Sequence, residues 1–77
     1  STAELAADFC TWLGLHAGAP LDGAAADFRA VSQGMKTVQL QASRLARGRA
    51  VDLDTPFLAL AERWQSAIDS VVAWHEG

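Results

Sequence analysis

The chain has 77 residues, of which 51% are apolar, and its 9 acidic and 6 basic residues give a net charge of −3. This length allows one domain, and the apolar fraction excludes an intrinsically disordered tail. The acidic balance argues against a general nucleic-acid-binding protein, and no apolar run approaches the ~20 residues that a membrane-spanning helix needs.

Cysteine usage restricts how so short a chain can be stabilised. Cys10 is the only cysteine, which excludes an internal disulfide and disfavours a structural zinc site built from several Cys and His ligands. We expect no cofactor. Because no charged leader with an apolar core is visible, we expect a cytoplasmic protein, and the alanine-rich composition suggests a bacterial one.

The first predicted helix covers about residues 2–13. Ser1-Thr2-Ala3-Glu4 fits a capping box, in which the Ser1 hydroxyl accepts a hydrogen bond from the amide of Glu4. Gly14 and the stretch 16–20 predict the end of the helix. The expected core face consists of the large apolar side chains Leu5, Phe9, Trp12 and Leu13, with Ala6 and Cys10 beside them.

The second predicted helix covers about residues 21–46, with Asp22 as its cap or Pro20 in its first turn, and it ends before Gly48. Gly34 lies in the middle of it, at a cost of about 1 kcal/mol relative to alanine. We expect this glycine to mark either a bend or a place where another backbone approaches closely. Apolar residues recur at steps of three and four along one line: Leu21, Ala24, Phe28, Val31, Met35, Val38, Ala42 and Leu45.

The third predicted helix covers about residues 56–75, with Thr55 as its cap and Pro56 in its first position. Its apolar arc is wide, as expected for a helix that contacts two neighbours. One stripe contains Phe57, Leu60, Trp64, Ala67, Val71 and Trp74, and the adjacent one Ala61, Ile68 and His75.

Short linkers between these segments predict an all-α, up-down-up bundle of three helices. The second helix is about twice as long as the first, so the first covers only part of it. We therefore expect an exposed apolar surface that a second copy or a helix of a partner covers, and the alternative is that the second helix bends at Gly34 and folds inward. The expected partner-binding residues are Met35, Val38, Ala42, Leu45, Phe57, Leu60, Ala61 and Trp64.

The three arginines Arg44, Arg47 and Arg49 form the only basic cluster. One interpretation is a solvated helix end whose charges complement the helix dipole. The other is an anion contact or an ion-pairing rim around the apolar surface. Asp52 and Asp54 follow directly and partly neutralise the cluster.

Few other side chains indicate chemistry. His16 and His75 end the first and third helices, which run parallel, so a metal or haem site with Asp22 or Glu76 is conceivable there, although a histidine at a helix C-terminus is already explained by the dipole. Cys10 is expected to be a buried structural thiol. We expect Trp12 and Trp74 in the core and Trp64 at the border of the apolar surface.

The sequence contains no paired carboxylates, glycine-rich phosphate loop or catalytic triad, and a core this small leaves little room for a substrate pocket. We therefore expect a non-catalytic protein–protein interaction module: a small subunit, adaptor or chaperone-like protein. The alternative is a helical bundle that binds a ligand, metal or cofactor at the end with His16 and His75. A helix-turn-helix DNA reader is disfavoured by the acidic charge.

Overall fold

A computed structural model describes all 77 residues as three helices: α1 (Thr2–Ala17), α2 (Asp22–Ala46) and α3 (Asp54–Glu76). The predicted all-α, three-helix fold is confirmed. α2 lies in the middle, because α1 and α3 each pack along it and hardly touch one another. No helix combines the length and the hydropathy that crossing a membrane requires.

The start of α1 is as the sequence predicts, but its end is not. The hydroxyl of Ser1 accepts a hydrogen bond from the amide of Glu4 at 3.3 Å, which confirms the cap. The helix continues through Gly14 to Ala17 and ends at Gly18, whose φ of 64° is left-handed. A glycine weakens a helix without stopping it, whereas a left-handed residue ends it.

α2 begins at Asp22 and ends at Ala46, close to both predicted bounds. Leu21 precedes the helix and forms no side-chain cap, so Asp22 is the first helical residue rather than the cap, and Pro20 lies outside the helix. The carboxylate of Asp22 still interacts favourably with the positive end of the helix dipole. Gly48, with a φ of 82°, follows the last turn.

α3 begins at Asp54, two residues before the predicted start, and Thr55 is not its cap. The amide of Thr55 instead donates to the carboxylate of Asp52 at 3.2 Å. Hydrogen bonds from the side chain and the backbone of Thr55 hold the pKa of Asp52 below its usual value. Pro56 still lies in the first turn, where its missing N–H costs nothing.

The face that α1 turns towards α2 differs from the predicted one. Its buried residues are mostly small, and Leu13 is the only large one: Ala3, Ala7, Cys10 and Leu13. Leu5, Phe9 and Trp12 are exposed instead, and Trp12 keeps 52% of its surface in solvent. Small side chains let two helices approach closely, so the alanine line of α1 packs on α2 and the larger residues lie on its flanks.

The core occupies one end of the molecule. Its buried members are small apart from Phe28 and two leucines: Ala7, Cys10, Leu13, Ala19, Leu21, Ala24, Ala25, Phe28 and Ala67. Trp64 of α3 meets the ring of Phe28 edge to face, with 5.2 Å between ring centroids. Trp74 packs partly against the cluster, in line with its predicted core position.

The other end of the molecule has no core. No residue between positions 33 and 66 is buried, which includes the far half of α2 (residues 33–46) and the first half of α3. Met35 and Leu45 are 37% and 49% exposed, so the far half of α2 does not fold inward as the bent alternative requires. The radius of gyration is 14.8 Å, whereas a compact domain of this length has about 11.5 Å.

An apolar groove between α2 and α3

A groove of about 530 Å³ opens between α2 and α3, beside the first residues of α1. Val31 and Met35 of α2 form one wall, and Phe57, Leu60 and Trp64 of α3 contribute to the other. The first residues of α1 close one end of the groove. Its complete lining is Ser1, Thr2, Ala3, Val31, Ser32, Met35, Phe57, Leu60, Ala61, Trp64 and Gln65, none of which has an ionisable side chain.

The groove brings together five of the predicted partner-binding residues: Met35, Phe57, Leu60, Ala61 and Trp64. Val38, Ala42 and Leu45 do not line it. They continue along α2 beyond the groove, where Val38 is half-buried and Ala42 and Leu45 are exposed. Together these eight residues extend from the end of the core towards the C-terminus of α2.

The closed end of the groove is held by a small polar network around Ser32. This buried hydroxyl donates to the carboxylate of Glu4 at 2.9 Å and lies 3.2 Å from the hydroxyl of Ser1. The network fixes the start of α1 against the middle of α2. Sequence reasoning missed Ser32, because aligning α1 antiparallel to α2 from their shared turn, with Ala17 opposite Asp22, pairs Ser1 with position 38, six residues beyond Ser32.

The basic cluster does not border the groove directly. Arg44, Arg47 and Arg49 are exposed, none forms an ion pair, and none is part of the lining. The pairs between helices are instead Arg29 with Asp8 at 3.8 Å and Arg63 with Asp27 at 2.8 Å. Whether the cluster contacts an anion or a partner stays a prediction.

Charge is divided between the two ends of the molecule. Residues 33–60 contain four basic side chains (Lys36, Arg44, Arg47 and Arg49) and two acidic ones (Asp52 and Asp54), a net charge of +2. Because the total net charge is −3, the remaining residues carry a net charge of −5. The end without a core is the positive end.

The histidines and the cysteine lie away from the groove. The ring of His16 packs over Trp12 with 4.7 Å between centroids, and His75 is exposed near the end of α3. No three His, Cys, Asp or Glu side chains are grouped so that they could hold a metal ion. Cys10 is buried, as predicted, and burial raises the pKa of its thiol against a smaller opposing effect of Arg29.

A smaller apolar cleft of about 180 Å³ separates α1 from α3 at the end with the core. Its walls include Phe9 of α1 and Val72 of α3, and Cys10 and Phe28 lie at its base. This cleft exists because α1 and α3 both pack on α2 rather than on each other.

The comparisons identify the family but no activity. The family described as the DUF1839 C-terminal domain matches residues 1–73. The chain belongs to the DUF1839 C-terminal domain family. No curated protein and no solved structure matches the chain. In DUF1839 proteins this description places the domain at the carboxyl end of a longer polypeptide.

Proposed function

We propose that this domain is a non-catalytic protein–protein interaction module that packs the groove and the adjoining face of α2 against a helix. The observation that carries the proposal is that residues 33–66, which contain the far half of α2 and the first half of α3, include no buried residue. Helices in water depend on packing of their apolar face, and this pair shares only one interface.

The exposed area supports the same proposal. The molecule exposes 5320 Å² to solvent, whereas a compact monomer of 8.2 kDa exposes about 4500 Å². The excess of about 800 Å² equals what one partner buries in an interface of standard size. Covering half of that area contributes about 10 kcal/mol at 25 cal/mol per Å², before the costs of association.

The lining of the groove favours binding over catalysis. Apolar side chains dominate it, and its four polar members, Ser1, Thr2, Ser32 and Gln65, have uncharged side chains. General acid–base and nucleophilic catalysis need a titratable or activated group at the reacting atoms. We include in the proposal a cytoplasmic location, because a reducing compartment keeps the lone Cys10 as a free thiol.

Photo-crosslinking from two neighbouring residues of α3 tests the proposal. Phe57 lines the groove and is 54% exposed, whereas Leu58 is 59% exposed and does not line it. A photoreactive phenylalanine analogue is placed at one position or the other, in the protein at its native level in its own host. We expect one defined cross-linked product from position 57 and none from position 58.

Peptide mapping identifies the product, including a link within the same polypeptide or between two copies. Because the two positions are almost equally exposed, random collisions with other proteins are about equally frequent at both. No product from position 57, or the same diffuse products from both positions, would overturn the proposed function.

A further inference from the structure

The groove lies beside the first residues of this domain. Members of this family are C-terminal domains, so in DUF1839 proteins another part of the polypeptide comes before them. A segment that precedes the domain in such a polypeptide joins it next to the groove, since Ser1, Thr2 and Ala3 line the groove. The hydrogen bonds of Ser1 with Glu4 and Ser32 hold this junction against α2.

The direction of α1 points the preceding segment at the uncovered surface. α1 begins beside Ser32 and runs antiparallel to α2, so the line of its axis, continued backwards from its first residue, passes over the far half of α2. From Ser32 to Ala46 that half is 14 residues long, about 21 Å at 1.5 Å per residue. About four helical turns cover this length.

We propose that the groove is occupied by the part of the same polypeptide that precedes the domain, through an apolar segment with acidic residues at its distal end. This inference rests on the proposed function and names the partner. Attachment at Ser1 makes the contact intramolecular, and an effective concentration in the millimolar range lets even a weak contact form.

Charge favours this occupant over a second copy of the domain. Two-fold pairing of the uncovered ends would bring together two surfaces that each carry +2. Like charges across an interface oppose association, whereas an acidic segment complements Arg44 and Arg47 at the end of α2. A segment that enters at Ser1 reaches these arginines only after it has crossed the groove.

Cysteine labelling in the longer protein tests the inference. Cys10 is replaced by alanine, and Phe57→Cys or Leu58→Cys is introduced into the full polypeptide that ends in this domain. The rate of alkylation at each position is divided by its rate in denaturant. Because the two side chains are 54% and 59% exposed in the domain alone, an empty groove gives nearly equal ratios.

We expect Phe57→Cys to react at least tenfold more slowly than Leu58→Cys, while light scattering shows a monomer at every protein concentration. Equal rates in the monomer overturn the inference but leave a separate partner open to the crosslinking test. Protection that appears only in a dimer, and is lost on dilution, assigns the groove to a second copy. That outcome overturns the inference and keeps the proposed function.

Discussion

Leu60 of α3 occupies the space beside Gly34 of α2 where any other residue would carry its Cβ. One methyl group of Leu60 would overlap this Cβ, and the Cγ of Leu60 would lie 3.3 Å from it. α2 is continuous through this position. A close approach is therefore found at Gly34, but a side chain makes it rather than the backbone that the sequence analysis expected.

The substitution Gly34→Ala is predicted to change the free energy of unfolding by less than about 1 kcal/mol. Alanine gains about 1 kcal/mol of helix propensity, and displacing Leu60 into the open groove costs about 0.5–1.5 kcal/mol for an unfavourable rotamer. In a Leu60→Ala background the clash is absent, so we expect Gly34→Ala to stabilise by about 1 kcal/mol.

Urea denaturation of the four members of this double-mutant cycle measures the coupling. A coupling energy near zero would show that Leu60 does not contact Gly34. A large loss of stability on Gly34→Ala in both backgrounds would show that the glycine is needed for the path of the backbone instead.

The sequence predicts the helices better than their packing. Capping by Ser1, the end of α2 before Gly48 and the uneven helix lengths follow from local patterns, and the lengths lead to the groove. The prediction of the buried face of α1 was wrong because the large side chains of Leu5, Phe9 and Trp12 dominate any measure of apolar periodicity. Which face lets two helices come closest depends on the partner helix, and α2 presents Ala24 and Ala25.

The start of α3 shows a second limit of the sequence pattern. Thr55-Pro56 is a typical helix start. However, the carboxylate of Asp52, three residues before Thr55, accepts a hydrogen bond from the amide of Thr55. Two candidate caps compete locally, and the path of the linker decides between them. The residue types near the helix end do not determine the path of the linker.

The substitution Ala7→Leu in α1 is predicted to destabilise the fold by about 1–3 kcal/mol, the usual cost of overpacking. Ala7 has no exposed surface, and α1 cannot move away from α2 without opening the core. Ala59→Leu is the matched control, since Ala59 is exposed on α3 and its change is expected to stay within about 0.5 kcal/mol. Equal urea midpoints for the two variants would contradict the assigned face of α1.

The exposure of Trp12 is predicted to be visible in tryptophan fluorescence. Variants that keep a single tryptophan, with the other two replaced by phenylalanine, compare Trp12 with Trp64. Trp12 is 52% exposed, whereas Trp64 packs edge to face on Phe28. We expect redder emission and stronger acrylamide quenching from Trp12, and the reverse order would restore the core face that the sequence predicts.

Removing the hydroxyl of Ser32 is predicted to loosen the closed end of the groove. Ser32→Ala deletes the hydrogen bond to Glu4 and the contact with Ser1, at a cost of about 0.5–1.5 kcal/mol for a buried hydrogen bond. Ser43→Ala, at an exposed position on the same helix, is the control and is expected to change stability by less than about 0.5 kcal/mol. Hydrogen exchange should accelerate in the first turn of α1 only in Ser32→Ala, and unchanged exchange there would contradict the role of the network.

The buried thiol of Cys10 is predicted to make stability fall at high pH. Burial raises the pKa of Cys10 above its ordinary value of 9.0, so above that pH the unfolded chain loses a proton that the folded chain keeps. The folded state therefore keeps its full stability below pH 9.0 and loses part of it as the pH rises further. Urea denaturation of the wild type and of Cys10→Ala at neutral and at alkaline pH separates this effect from other titrating groups, because only the wild type contains the thiol. Parallel pH profiles for the two proteins would contradict a thiol held neutral by burial.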